Sequence, residues 1–331
     1  MHLNGSNGCI PNEEIPVFLA IFNRPDKTRA VIENLRQIKP KRLFVAADGP
    51  RRNVPQDIEK CRLARQEAMA VDWPCDIQTR FLDENMGCDP AVSSAINWFF
   101  ENVEYGIILE DDCLVHPHFF AFCGELFVRY ADDERIMQIS SLSPYVAREH
   151  PYDYHFSRTF RCSGGWGTWR RAWKHYTDDM TRYGNDEALG ILKASHLDYS
   201  KCLWQYRRLL EFKEGSFIHP YWSYWDFQWN LACAAQNGLS LVPEKNLMNN
   251  IGLDEESTHT KNKDHPIYGN LQVQPLRFPL RHPRFVYADS LPERSLDKRI
   301  YRSLSLKSRC MYLLRRAVGA IHYLREVMPY D

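Results

Sequence analysis

Residues 105–117 read Tyr-Gly-Ile-Ile-Leu-Glu-Asp-Asp-Cys-Leu-Val-His-Pro. The apolar run Ile107 to Leu109 has the character of a buried strand, and it stops at three consecutive acids, Glu110, Asp111 and Asp112. Adjacent carboxylates repel one another, and a hard divalent cation is a simple compensating charge. Asp111 and Asp112 could bind Mn²⁺ or Mg²⁺ through one or both carboxylates, with a substrate diphosphate completing the shell. The alternative is structural: Asp112 could cap the helix after His116, and Glu110 could pair with an arginine.

A second carboxylate, Asp226, sits in Tyr-Trp-Ser-Tyr-Trp-Asp-Phe-Gln-Trp, residues 221–229. Partial desolvation among so many aromatics would raise its basicity and suit it to general-base work. It could equally be a helix N-cap, since a helical pattern follows. His259, in Ser-Thr-His-Thr, could be a metal ligand or a diphosphate donor, or neither. Asp48 could accept from a base or a ribose, or serve the Asp-Gly-Pro turn. Arg24 and Arg80 could contact phosphates or be surface charges. Asn85-Met86-Gly87 could bring backbone amides to a ligand, or be only a loop and cap.

Positioning these groups requires strands and helices in alternation. The pattern predicts strands over 17–22, 43–47, 76–82 and 105–109, and helices after Pro25, over 58–69 and over 90–100. Such alternation implies an α/β fold with a mostly parallel, Rossmann-like sheet flanked by helices. Asn23 and Arg24, Asp48, and Glu110 to Asp112 then fall on one sheet edge, where right-handed crossovers gather them. A helix over 119–130 and a strand over 136–140 follow.

Residues 144–224 show weaker periodicity, many aromatics and the run Gly164-Gly165-Trp166-Gly167, and are expected to form an acceptor-side lobe or long loops. A helix is expected over 226–237 and a polar loop over 252–274. Over 304–328, apolar residues at helical spacing alternate with Lys307, Arg309, Arg315, Arg316 and Arg325, a basic amphipathic helix. It would pack on its own domain or a partner subunit, or lie on an anionic membrane surface. The organisation expected is an extension over 1–14, one domain over 15–275 with halves meeting at 143/144, and a tail over 276–331.

Of the 331 residues, Lys plus Arg equals Asp plus Glu at 42 each, so no basic field argues for nucleic acid. The ten cysteines contain no CxxC pair and are expected to be reduced thiols in a cytoplasmic protein. No secretory signal or membrane-spanning run is evident, which leaves peripheral contact at the inner face of the cell membrane as the expected membrane association.

Taken in order, the motifs are Asn-Arg-Pro, Asp-Gly-Pro, Glu-Asn-Met-Gly-Cys, Ile-Leu-Glu-Asp-Asp-Cys-Leu-Val-His-Pro-His-Phe-Phe, Gly-Trp-Gly-Thr-Trp, Trp-Asp-Phe-Gln-Trp and Asn-Ile-Gly with Thr-His-Thr. This series resembles bacterial nucleotide-sugar-dependent glycosyltransferases of the GT-A fold. It is similar, more distantly, to the animal N-acetylglucosaminyltransferase I family, which shares Glu-Asp-Asp and a Pro-x-Phe-Phe helix. The resemblance spans about 15–260. It implies Asp112 as metal ligand for Mn²⁺ or Mg²⁺, and Asp111 and Glu110 at the donor sugar or ribose. It further implies Asp48 at the nucleobase, Arg80 at the diphosphate and Asp226 as the base. Gly165 and Trp166 would line the cleft beside the donor sugar, and Trp225 and Trp229 the acceptor side. Asn23, Arg24, Asn85 and Gly87 complete the expected donor site. The animal family has two adjacent aspartates where this chain has Asp226 and Phe227.

The expected activity is thus inverting, metal-dependent transfer from a nucleoside-diphosphate sugar, with uridine as the base, to a glycan or glycolipid in polysaccharide biosynthesis. A sugar-1-phosphate nucleotidyltransferase is the alternative on the same fold, although Phe22-Asn23-Arg24-Pro25 lacks the glycine-rich loop of that class. A non-catalytic sugar-binding module is the other.

Overall fold

The computed structural model describes residues 8–145, 151–195, 199–214, 225–252 and 271–296. Its first half is a regular alternation: β1 (Val17–Ile21), α1 (Pro25–Leu35), β2 (Arg42–Ala47), α2 (Gln56–Ala68), β3 (Asp76–Phe81), α3 (Cys88–Asn102) and β4 (Tyr105–Glu110). Pro25 occupies the first turn of α1, where its missing N–H costs nothing. These strands pair in parallel in the order β3-β2-β1-β4. The expected strand and helix positions hold to within a few residues at each end.

Side chains alternate across this sheet. Val17, Leu19, Ile21, Leu43, Val45, Ile107 and Leu109 pack with α1 and α2 on one face. Phe18, Phe44 and Ile108 pack with α3 on the other. The chain therefore runs outward from β1 to β3 with helices on one face, then returns over the opposite face to β4. Between β1 and β4 the direction of winding reverses, and open α/β sheets carry their ligand crevice at that point.

The second half comprises β5 (Cys113–Val115), α4 (Pro117–Arg129), β6 (Ile136–Ser140), β7 (Tyr154–Ser157), β8 (Trp166–Trp169), α5 (Arg170–Trp173), α6 (Asn185–Ser195), α7 (Tyr199–Lys213), α8 (Trp225–Ala235), β9 (Leu239–Pro243) and β10 (Met248–Asn250). Within 144–224, expected as an acceptor-side lobe or long loops, β7 and β8 join the main sheet. β8 inserts between β4 and β6, antiparallel to both, and β9 and β7 extend the sheet to eight strands. The four residues of β8 are all buried, so no alternation marked them as a strand. The sheet is consequently mixed, with four parallel and three antiparallel pairings. β5 and β10 form a separate antiparallel ribbon.

Part of the N-terminal extension is bound to the body: the Ile10 amide donates to the Gly124 carbonyl of α4 at 3.1 Å. Every cysteine among the described residues is free. No helix among the described residues is long and apolar enough to cross a membrane. The tail helix expected over 304–328 and most of the loop expected over 252–274 lie outside the described residues.

Gly106 in β4 lies directly under the Phe99 ring of α3. A Cβ there would stand 2.3 Å from Phe99 Cζ and 2.8 Å from the Pro16 carbonyl oxygen. Gly106→Ala should destabilise the fold by about 1–3 kcal/mol, because both neighbours are packed. The expected outcome is a lower urea midpoint with an unchanged slope.

Candidate active site at the ends of two parallel strands

β1 and β4 are neighbours in register, Ala20 beside Glu110. Arg24, just past β1 and at the N-cap of α1, therefore meets the acids just past β4. Its guanidinium ion-pairs with Asp111 Oδ1 through Nη2, reaches Asp111 Oδ2 through Nε at 3.3 Å, and lies 3.1 Å from Asp112 Oδ2 through Nη1. The sequence left Arg24 as a phosphate contact or a surface charge. In the structure it pairs with the acids, which the adjacency of β1 and β4 brings within its reach. Burial works against the Arg24 charge, but Asp111 and Asp112 outweigh it and raise its pKa.

The acids remain crowded all the same. Glu110 is pushed up from 4.5 to about 8, first by burial, then by Asp112 and Asp111, with Arg24 opposing and Asp226 adding. Asp111 is pushed up to about 6 by burial, with Arg24 holding it down. Both effects follow from loss of water around charge and from like charges side by side. Asp112 does not cap α4, contrary to the structural alternative; the His116 ring does, accepting from the His118 amide at 3.1 Å.

The β5–β10 ribbon closes one side of Asp112. The Ile251 amide donates to the Asp112 carbonyl at 2.9 Å, and the Cys113 thiol lies 3.3 Å from Asp112 Oδ1. Gly252 passes so near that a Cβ would stand 2.2 Å from Asp112 Oδ2. Hard carboxylate oxygens with surplus negative charge suit Mg²⁺ or Mn²⁺. Among the described residues no three or more His, Cys, Asp or Glu side chains are grouped to hold a metal, so a cation here would depend on substrate oxygens, as Mg²⁺ sites commonly do. His259 lies outside the described residues.

Asp226 lies in the first turn of α8, not at its N-cap, since the helix begins at Trp225. Its Oδ1 accepts from the Phe227 amide at 2.8 Å. Burial raises its pKa from 3.8 to about 6; the Phe227 amide opposes this and Asp89 adds to it. A small part of its surface still reaches solvent, as does that of Glu110. The charge of Asp226 is felt at Glu110, and both are felt by the buried Cys162 thiol, which burial also pushes up. The N-terminus of α8 and the end of β4 therefore share one local field. Asp89, at the start of α3, carried no role in the sequence reading. Its Oδ1 lies 3.5 Å from the Trp225 amide, and its position directly after Gly87-Cys88 was the available signal.

The three tryptophans expected to line the cleft are buried. Trp166, Trp225 and Trp229 are each at most 3% exposed. Trp166 stacks on Trp225 at 6.1 Å and packs against Trp229 at 5.9 Å, while Trp229 Nε1 donates to Gln138 Oε1 at 2.9 Å. Gly165 has φ +92°, and a Cβ there would press Leu109 Cδ2 at 2.8 Å. Its carbonyl accepts from Ser141 Oγ at 2.7 Å, so Gly165 seats this loop on β4.

The donor-binding expectations at the far strands also change. Asp48 accepts from the amides of Gly49 and Met86 and from Asn85 Nδ2, each at 2.8 Å, and from the Gly87 amide at 3.1 Å. Both carboxylate oxygens are engaged within the protein, and the Met86 and Gly87 amides point at Asp48 rather than outward. Asn23 Nδ2 donates to Asp57 Oδ1 at 2.8 Å, and Arg80 Nη1 donates to Ser94 Oγ at 3.0 Å. Asn23 thus ties the end of β1 to α2, and Arg80 ties β3 to α3.

The Glu110 carboxyl keeps its proton in the folded state at pH values where the unfolded chain has lost it. Its stabilising contribution is complete below about 4.5 and is lost as pH rises through about 8. Without divalent ions, the Tm of the wild type should fall relative to that of Glu110→Gln as pH rises across this window. Parallel melting curves would contradict the assignment.

No protein-family model matches the chain, and no curated protein matches it.

Proposed function

We propose that the chain is an inverting, metal-dependent glycosyltransferase of the GT-A fold. It moves a sugar from a nucleoside-diphosphate sugar, with uridine as the base, to a hydroxyl of a glycan or glycolipid. What supports this reading most is the acid cluster at the β1/β4 reversal, together with Asp226, a carboxylate whose basicity burial raises and whose charge is felt at Glu110. On this reading Asp226 is the proton acceptor and the cluster the site of a diphosphate-bound cation.

Asp112, with Asp111 beside it, would hold Mn²⁺ or Mg²⁺, and His259 is a further candidate. The bound ion would supply positive charge to the departing diphosphate oxygens. Arg24 fixes the orientation of Asp111 and Asp112. The Phe227 amide fixes the Asp226 carboxylate. Asp226 takes the proton of the acceptor hydroxyl as that oxygen bonds the anomeric carbon. The bond from that carbon to the diphosphate oxygen breaks on the opposite face, and its electron pair leaves with the nucleotide. A pKa of about 6 leaves Asp226 mostly ionised at neutral pH, yet basic enough to accept. One base without a covalent nucleophile gives inversion.

Asp226→Asn should lower transfer by about 10²–10⁴-fold while donor binding, measured by calorimetry with Mn²⁺, stays near wild type. Asp112→Asn should instead remove the Mn²⁺ dependence of donor binding. A donor panel scored by hydrolysis identifies the sugar without a known acceptor, and NMR of the product reads its anomeric configuration; retention would sink the role given to Asp226. Because Asp226 must be ionised, kcat/KM should rise with pH through about 6. A profile flat across that range would assign the base elsewhere.

A further inference from the structure

Far along the sheet from the acids, β7 is an edge strand, and residues 281–289 cover it. The Arg281 carbonyl accepts from the Asp153 amide at 3.0 Å, and the Asp289 amide donates to the Phe156 carbonyl at 2.8 Å. Ala288 bridges Phe156 in parallel. Val286 and Ala288 turn inward and pack on the core. In an extended chain the alternate residues must face the other way, and Phe285 and Tyr287 do, at 66% and 59% exposure. Leu291, at the start of a helical turn over 291–296, is 63% exposed. Of the eight large hydrophobic side chains exposed among the described residues, five lie between 273 and 291. The apolar exposure is thus concentrated on one stretch of chain.

The charge on this stretch is also one-sided. Arg277, Arg284 and Arg294 are exposed, and the Arg284 guanidinium sits over the Phe285 ring at 5.5 Å. The acids of the same stretch are occupied. Asp289 Oδ1 accepts from the Leu291 amide at 2.9 Å, and Glu293 pairs with Arg161 at 3.1 Å. The sequence continues in kind: residues 297–331 carry eight lysines and arginines against three acids. Outward aromatics and leucine on a stretch of chain rich in exposed arginine are the chemistry of a surface that enters the headgroup region of a bilayer. The rings partition to the interface, while guanidinium groups meet lipid phosphates.

We propose that the ridge of Phe285, Tyr287 and Leu291, with Arg284 beside it, docks the protein on an anionic lipid surface. The ridge sits on the sheet's edge strand, remote in the strand order from the β1/β4 reversal, so the proposal does not depend on glycosyl transfer.

The test is flotation of the full chain with vesicles of phosphatidylcholine alone and of phosphatidylcholine mixed with phosphatidylglycerol. Binding is expected to the mixed vesicles, to weaken with added salt, and to be weak with the neutral ones. The triple variant Phe285→Ser, Tyr287→Ser, Leu291→Ser should lose at least about tenfold in partitioning, since binding scales with inserted apolar area. Arg284→Glu should lose about fivefold or more. All four side chains are exposed, and an unchanged melting temperature verifies the fold of each variant. Three results would overturn the proposal. One is no binding of the wild type to mixed vesicles. Another is full binding by the triple variant, which would assign the membrane contact to residues 297–331. The third is a concentration-dependent dimer that the triple variant abolishes without any vesicle binding, which would make the ridge a contact between copies of the chain.

Discussion

The structure turns on an imbalance of charge at the end of β4. Glu110, Asp111 and Asp112 stand where the sheet's winding reverses, and one guanidinium, Arg24, answers two of them. Arg24 can do so only because β1 and β4 are adjacent. The strand order, the start of α1 at Pro25 and the register of Ala20 beside Glu110 all serve that contact. Asp111 is almost fully buried and Arg24 mostly so. Removing either partner from such a pair strands a charge away from water, at a cost of about 3–5 kcal/mol. The pair leaves the cluster with surplus negative charge, and this surplus is the property a cation-dependent site needs.

Asp226 answers the same cluster from the other side by a different physical route. Its basicity comes from burial in the first turn of α8. Trp166, Trp225 and Trp229 pack on one another, and the Phe227 amide holds the Asp226 carboxylate. A raised acid at β4 and a raised base at α8 within one field resemble the paired groups of opposed environment that acid–base sites employ.

The remote edge of the sheet shows the reverse economy of charge. There the acids are tied down by backbone amides and by Arg161, while arginines and aromatics face outward. Residues 281–289 close the edge strand against pairing with other chains, a standard hazard of exposed edges, and in doing so they create a surface of their own. Negative charge is thus concentrated at the β1/β4 reversal and positive charge at the far edge, in a chain whose formal charge is balanced.

Much of this was open to a reader of the sequence. Buried parallel strands are continuous apolar runs, and helices between them carry a 3.6-residue stripe, so β1 to β4 and α1 to α3 could be placed. The strand-end position of Glu110, Asp111 and Asp112 followed from the same pattern, as did Asp226 among aromatics. Partners could not be read, because they are set by the sheet order. Arg24 could have met a phosphate, but the adjacency of β1 and β4 commits it to Asp111 and Asp112. Asp48 had the residue type for a ligand contact, yet the loop over 82–87 folds back and spends both of its oxygens. Trp166, Trp225 and Trp229 had the composition of a sugar platform, and packing buried them against one another. By itself the sequence determined which segments form the sheet's first half and which carboxylates end up at its edge, since local periodicity and hydrophobicity suffice for that. The tertiary structure alone decided which charges pair and which rings reach water, because both depend on neighbours that lie far apart along the chain.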